Sequence, residues 1–261
     1  MSGAEALSYA DVTERPGQPA SAIQMEMLEA RYAWAAAQAR GRDVLEVACG
    51  AGIGLPLLAG AARSVKAGDV DPENLRAARK ACAGCANVTV EHLCAPELGF
   101  PDRRFDLVLL FEALYYIPEA ERFFEEARRV LRPGGALLIV TVNREWTGFN
   151  PSPLSIRYWS AEELLQGLEG AGFDGAVQGA FPEIPGWSRS ARGLMRRGAV
   201  ALGLIPRTMR GKALLKRMFY GPLQTVPSRI CLAQAAALEP WNSANRSRCR
   251  VLYATARKGA T

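Results

Sequence analysis

The run Val44-Leu45-Glu46-Val47-Ala48-Cys49-Gly50-Ala51-Gly52-Ile53-Gly54 constrains the fold of this chain more than any other stretch. Val44, Leu45 and Val47 read as a buried strand, and the glycines turn it into a following helix. A residue without a Cβ lets the backbone turn tightly and come close to a bound ligand. Glu46 narrows the choice of ligand. A carboxylate four residues before a Gly-x-Gly repels a pyrophosphate and welcomes an ammonium group. A dinucleotide site wants a third glycine where this chain has Leu55, so that pattern fails. What remains suits a nucleoside carrying an amino-acid tail.

The next segments extend this reading. Ser64–Asp69 is a second short strand ending on an acid, and Asp69 lies 19 residues past Gly50. An acid at that distance accepts both hydroxyls of a ribose. S-adenosylmethionine is the ligand that combines these needs. Asn87–Leu93 reads as a third strand. A turn at Phe100-Pro101-Asp102 precedes the apolar strand Phe105–Glu112, and Leu131-Arg132-Pro133-Gly134-Gly135 turns into a fifth strand over 136–140.

In that order and spacing, the acid–glycine loop, Asp69, Phe-Pro-Asp…Phe-Asp and Leu-Arg-Pro-Gly-Gly resemble the class I S-adenosylmethionine-dependent methyltransferases. The resemblance covers roughly residues 25–180 and 250–258 and implies an α/β, Rossmann-like fold. Its seven-stranded sheet is mostly parallel, with an antiparallel last strand and helices on both faces. It implies that Glu46, Ala48 and the Gly50–Gly52 backbone hold the methionine end and that Asp69, with Val70 beside it, holds the ribose. Cys94 and Ala95 would edge the adenine, and Phe111 would lie by the methionine portion. Many relatives carry an Asp at the position of Cys94, and a thiol is a weak acceptor.

Charge divides the chain. Residues 1–186 hold 17 Lys and Arg against 25 Asp and Glu, whereas residues 187–261 hold 15 against the single Glu239. The whole positive excess is therefore C-terminal and suggests an anionic partner. Ser160 opens a helix through a Ser-x-x-Glu capping box, Phe173–Ala180 reads as the sixth strand and Arg250–Ala256 as the seventh. About 70 residues are inserted between these two strands. Within them, Arg189–Ile205 and Met209–Tyr220 show helical periodicity with basic and apolar sides. The expected organisation is an N-terminal helical cap over the cofactor (1–40), a methyltransferase core (41–180 and 249–261) and a basic helical insertion (181–248). That insertion either packs on the core, forms a lid that binds substrate through Arg196 and Arg197, or rests on anionic lipid. Too few aromatics interleave with its basic residues to favour nucleic acid.

Met1–Gln18 is polar, without the apolar core of a signal peptide, and no apolar run is long enough to span a membrane. Six irregularly spaced cysteines suit reduced thiols in the cytoplasm. Cys82, Cys85, His92 and Cys94 are a metal-ligand set by residue type, but the short loop between them favours no metal.

In the N-terminal cap, Tyr9, Arg15 and Tyr32 are placed to close over the methionine, with Arg15 suited to its carboxylate. Tyr32 and Trp34 equally suit anchoring the helix to the sheet. His92, the one histidine, lies away from the substrate mouth, so base candidates are Glu112, Tyr115 and Tyr116 after the fourth strand. Trp146, Asn150 and Tyr158, after the fifth strand, suggest a sugar-binding surface. The expected activity is methyl transfer to an oxygen or nitrogen of a polar small molecule, anionic or sugar-containing. Alternatives are a membrane-surface lipid or quinone methyltransferase and a non-catalytic cofactor-binding partner protein.

Overall fold

A computed structural model describes residues 9, 12–152, 154–183, 222–230 and 233–260. In chain order the elements are β1 (Pro19–Ser21), α1 (Ala22–Ala39), β2 (Asp43–Val47), α2 (Leu55–Ala61), β3 (Ser64–Asp69), α3 (Pro72–Ala81), β4 (Val88–His92) and β5 (Phe105–Phe111). They continue with α4 (Ala120–Val130), β6 (Leu131–Val142), α5 (Ala161–Gly170), β7 (Phe173–Pro182), β8 (Leu223–Thr225), β9 (Glu239–Pro240) and β10 (Cys249–Lys258). A short 3₁₀ turn covers Leu114–Tyr116.

The main sheet has the order β4-β3-β2-β5-β6-β10-β7-β9. Strands β2 to β6 pair in parallel, and β10 runs antiparallel between β6 and β7, with Tyr253 opposite both Val140 and Gln178. The expected seven strands are present, and the two-residue β9 adds an eighth at the edge.

Alternation along the strands explains the two-sided burial. Val44, Leu107 and Leu109 face a layer that includes Leu28, Tyr32, Ala35, Leu55 and Leu58 of α1 and α2. Leu45, Val108 and Leu110 face Phe123, Phe124 and Ala127 of α4 and Leu164 and Leu168 of α5. A parallel sheet covered on both faces needs such continuous apolar strands. The Ser160 capping box forms as expected: its hydroxyl accepts from Glu163 N–H, and the Glu163 carboxylate accepts from Ser160 N–H. Ser21 and Gln24 form a second box at the start of α1.

One expectation changes. Pro133-Gly134-Gly135 does not precede the strand but lies within it as a bulge: Phe105 pairs with Leu131, and Leu107 already pairs with Ala136. The described parts of the insertion, 181–183, 222–230 and 233–248, contain strands and turns and no helix. Strand β8 pairs with β1, and β9 extends the sheet beside β7. The helices expected over 189–205 and 209–220 lie outside the described residues. Among the described residues no helix is long and apolar enough to cross a membrane.

Candidate active site

The strand order reverses between β2, which continues outward to β3, and β5 on its other side. Open α/β sheets bind ligands beyond the carboxyl ends of strands at such a point. Here that place holds a cavity of about 720 Å³, walled by the segments after β2 and β5, by α1 and by Tyr9, Val12, Thr13 and Glu14.

The loop after β2 is shaped by backbone conformation. Ala48, Gly50 and Gly52 all have positive φ, at 56°, 55° and 69°. A Cβ on Gly52 would stand 2.7 Å from the Ala78 backbone, so glycine lets α3 pack against the loop. Asp69 fixes the loop from the end of β3, its Oδ2 accepting from Gly50 N–H at 2.9 Å. Its Oδ1 accepts from Asp71 N–H at 2.9 Å and from the Asn74 amide at 3.4 Å. Ala48, Gly50, Gly52, Asp69, Val70, Cys94, Ala95 and Phe111 all line the cavity.

Glu46 does not line it. The side chain is 1 % exposed beneath the loop, where Tyr32 donates a hydrogen bond to Oε1 at 2.6 Å and Oε2 has no partner. Burial pushes this carboxyl up to about 7, against the lowering effects of the Tyr32 hydrogen bond and Arg31. Arg15, expected at the methionine carboxylate, also lies outside the wall and pairs with Glu73 at 3.0 Å. The arginine that does line the cavity is Arg31 of α1, 7 % exposed and ion-paired with Glu14. Burial works against its charge, but Glu14, Tyr32 and Glu112 outweigh that and hold it protonated. Its Nε is buried without a partner. Arg31 and Glu14 were not among the sequence candidates. The signal was spacing, because Arg31 falls on the buried stripe Leu28, Tyr32, Ala35, Ala39, where an arginine needs a partner.

Glu112 directly follows β5 and is held at φ 51°, a conformation that costs a residue with a Cβ about 1–2 kcal/mol. Strained residues of this kind concentrate at functional sites. Tyr115 donates to Glu112 Oε2 at 3.0 Å. Burial and Glu14 push the Glu112 carboxyl up to about 7, with Arg31 and the Tyr115 hydrogen bond opposing them. Burial, then Glu112, raises Tyr115 well above the usual phenol range. The Tyr116 and Ser152 hydroxyls share a hydrogen bond at 2.9 Å, and Glu112, Tyr115 and Tyr116 all line the cavity.

The structure does not gather the expected sugar surface. The Tyr158 ring stacks on Tyr115 at 4.8 Å, and its hydroxyl accepts from Ser152 N–H at 2.7 Å. Trp146 instead lies under the Arg250 guanidinium, 4.9 Å from ring centre to cation. Asn150 is exposed, and none of the three lines the cavity. Arg196 and Arg197 lie outside the described residues. Among those described, no three His, Cys, Asp or Glu are placed to hold a metal ion.

Residues 45–139 match a family model described as a methyltransferase domain. A Mycolicibacterium smegmatis protein named a probable S-adenosylmethionine-dependent methyltransferase is 37 % identical over 152 residues, which is 56 % of this chain and 57 % of that one. The demethylmenaquinone methyltransferase of Tropheryma whipplei is 34 % identical over 99 residues, 38 % of this chain and 41 % of that one. The chain thus spans about half the length of the curated relatives it matches. The solved structure of the [4+2]-cyclase SpnF superposes with a TM-score of 0.60 at 23 % identity, over 93 % of this chain and 85 % of that one, and shows the shared fold alone. Sheet order, cavity position and these matches define a nucleoside-binding α/β domain. More particularly, the chain carries a class I S-adenosylmethionine-dependent methyltransferase domain.

Proposed function

We propose that this chain transfers a methyl group from S-adenosylmethionine to an oxygen or nitrogen of a polar small molecule. The observation that carries this reading is the meeting of Arg31, Asp69 and Glu112 in one cavity at the strand-order reversal. The residues fit the donor: the unpartnered Nε of Arg31 suits a carboxylate, and Asp69 suits ribose hydroxyls. Glu46 supports the floor through Tyr32. When bound, the donor supplies an electrophilic methyl on a sulfonium sulfur. The protein then has to align an acceptor, exclude water and take up a proton, and alignment alone is worth roughly 7–11 kcal/mol. Glu112, assisted by Tyr115, is placed to receive that proton.

The sugar- or phosphate-bearing acceptor loses support, because its expected platform lies away from the cavity. A panel of amines, phenols, quinols and sugars, followed by release of S-adenosylhomocysteine, tests the proposal. Acceptor-dependent release supports it. Cofactor binding without release for any acceptor class would favour the non-catalytic alternative.

Asp69→Ala should weaken S-adenosylhomocysteine binding by about 100-fold, since hydrogen bonds to a charged group are worth about 1.5–3 kcal/mol each. Asp69→Asn, which keeps one acceptor oxygen, should lose less. Calorimetry on both variants, with circular dichroism confirming the fold, reads this directly. Unchanged affinity in Asp69→Ala would remove Asp69 from the site.

A further inference from the structure

We propose that the acceptor is an amine that enters as its ammonium ion, met by Glu112 and flanked by the rings of Tyr9, Tyr115 and Tyr116. This rests on the methyl-transfer reading above and names its substrate class.

The charged side chains of the cavity wall among the described residues are Glu14, Asp69, Glu112, Glu119 and Arg31. Three of the four acids have compensation. Glu14 pairs with Arg31, Glu119 pairs with Arg122 at 3.5 Å, and Asp69 accepts N–H bonds from Gly50, Asp71 and Asn74. Glu112 makes no ion pair among the described residues; its carboxyl takes the Tyr115 hydroxyl at 3.0 Å. The backbone holds this carboxyl at the cavity wall through a positive φ that glutamate does not favour. A carboxylate withdrawn from water in this way calls for a cationic partner.

The donor does not remove the imbalance. It brings one carboxylate for Arg31 and two cationic groups, one net positive charge, and leaves Glu112 as the one acid of the described wall with neither an ion pair nor an N–H donor. An anionic acceptor would therefore enter a region of its own sign, and like charges brought together penalise the wrong ligand. The aromatic surroundings point the same way. The rings of Tyr115 and Tyr116 lie 4.5 Å apart at 65°, and Tyr9, at 37 % exposure, packs edge-on against Tyr116 at 5.6 Å. Tyrosine rings around a carboxylate favour a cation through their quadrupoles, most strongly where water is excluded.

The chemistry balances. Glu112 takes one proton from the ammonium and frees the nitrogen lone pair. That pair attacks the methyl carbon, the carbon–sulfur bond breaks, and its electrons remain on sulfur as a neutral thioether. The product leaves as a methylated ammonium ion, and Glu112 returns its proton to solvent.

Binding of phenethylamine, phenethyl alcohol and phenylacetate to protein saturated with S-adenosylhomocysteine tests the assignment by calorimetry. Phenethylammonium should bind at least about tenfold more tightly than the alcohol, with phenylacetate weakest. Glu112→Gln and Tyr116→Leu should each shrink the preference while S-adenosylhomocysteine still binds. Equal binding of alcohol and amine, tighter binding of phenylacetate, or no amine binding at millimolar concentration would overturn the amine assignment alone. Failure of S-adenosylhomocysteine itself to bind would overturn the methyl-transfer reading and this proposal with it.

Discussion

Glu112→Gln should lower methyl transfer on the order of 10²–10⁴-fold, the usual worth of a positioned general base, and leave S-adenosylhomocysteine affinity nearly unchanged. The amide keeps the shape and the capacity to accept from Tyr115, but it cannot take a proton. The wild-type rate should also depend on pH through this one group. Because the buried Glu112 carboxyl is pushed up to about 7, the proton-accepting carboxylate is scarce at pH 6 and dominant at pH 8. Turnover should rise across that interval and level off above it, and the rise should vanish in Glu112→Gln. A variant with wild-type turnover, or the same pH profile, would show that the proton goes elsewhere.

Phe124→Ala should destabilise the fold by about 3–5 kcal/mol, the usual cost of deleting a buried phenyl ring. Phe124 is fully buried on α4, and its ring meets Trp159 edge-on at 5.7 Å. On α5, a Cβ added at Gly167 would stand 3.0 Å from the same ring, so helix α5 is seated directly on it. Removing the ring leaves a cavity between α4 and α5 that neither helix closes without moving. At roughly 2–4 °C per kcal/mol for a chain of this size, thermal unfolding should begin some 6–20 °C lower. Phe124 does not itself line the cavity, so cofactor binding measured well below the transition should persist. A loss under about 1 kcal/mol would mean that α4 and α5 repack freely, contrary to the dense interface seen here.

The sheet and the glycine loop were legible because their signals are local. Leu107–Leu110 could only be a strand buried on both faces, Ser160 and Glu163 announce their own helix, and Asp69 lies at a fixed distance from Gly50. The arginine of the cavity wall was less legible, because helical spacing marks Arg31 as buried but only the tertiary structure shows what it faces. Arg15 looked available at the sequence level, but Glu73, 58 residues away, takes it. Arg31 lies within a largely apolar helix, and its burial beside Glu14 and Glu112 is what distinguishes it. The sugar platform failed for a similar reason: Tyr158 and Trp146 share a loop, yet one is drawn onto Tyr115 and the other under Arg250. In the insertion, composition and periodicity carry no information about open sheet edges. Strands β1 and β7 offer unpaired backbone groups, and two short segments that follow the basic stretch fill them.

Titration of the folded wild-type chain with S-adenosylhomocysteine tests the central assignment most directly. Binding of one molecule per chain with micromolar affinity, weakened in Asp69→Ala and in Arg31→Met, is the result predicted by a donor seated across these two side chains. Absence of binding by folded protein, or binding indifferent to both substitutions, would contradict it.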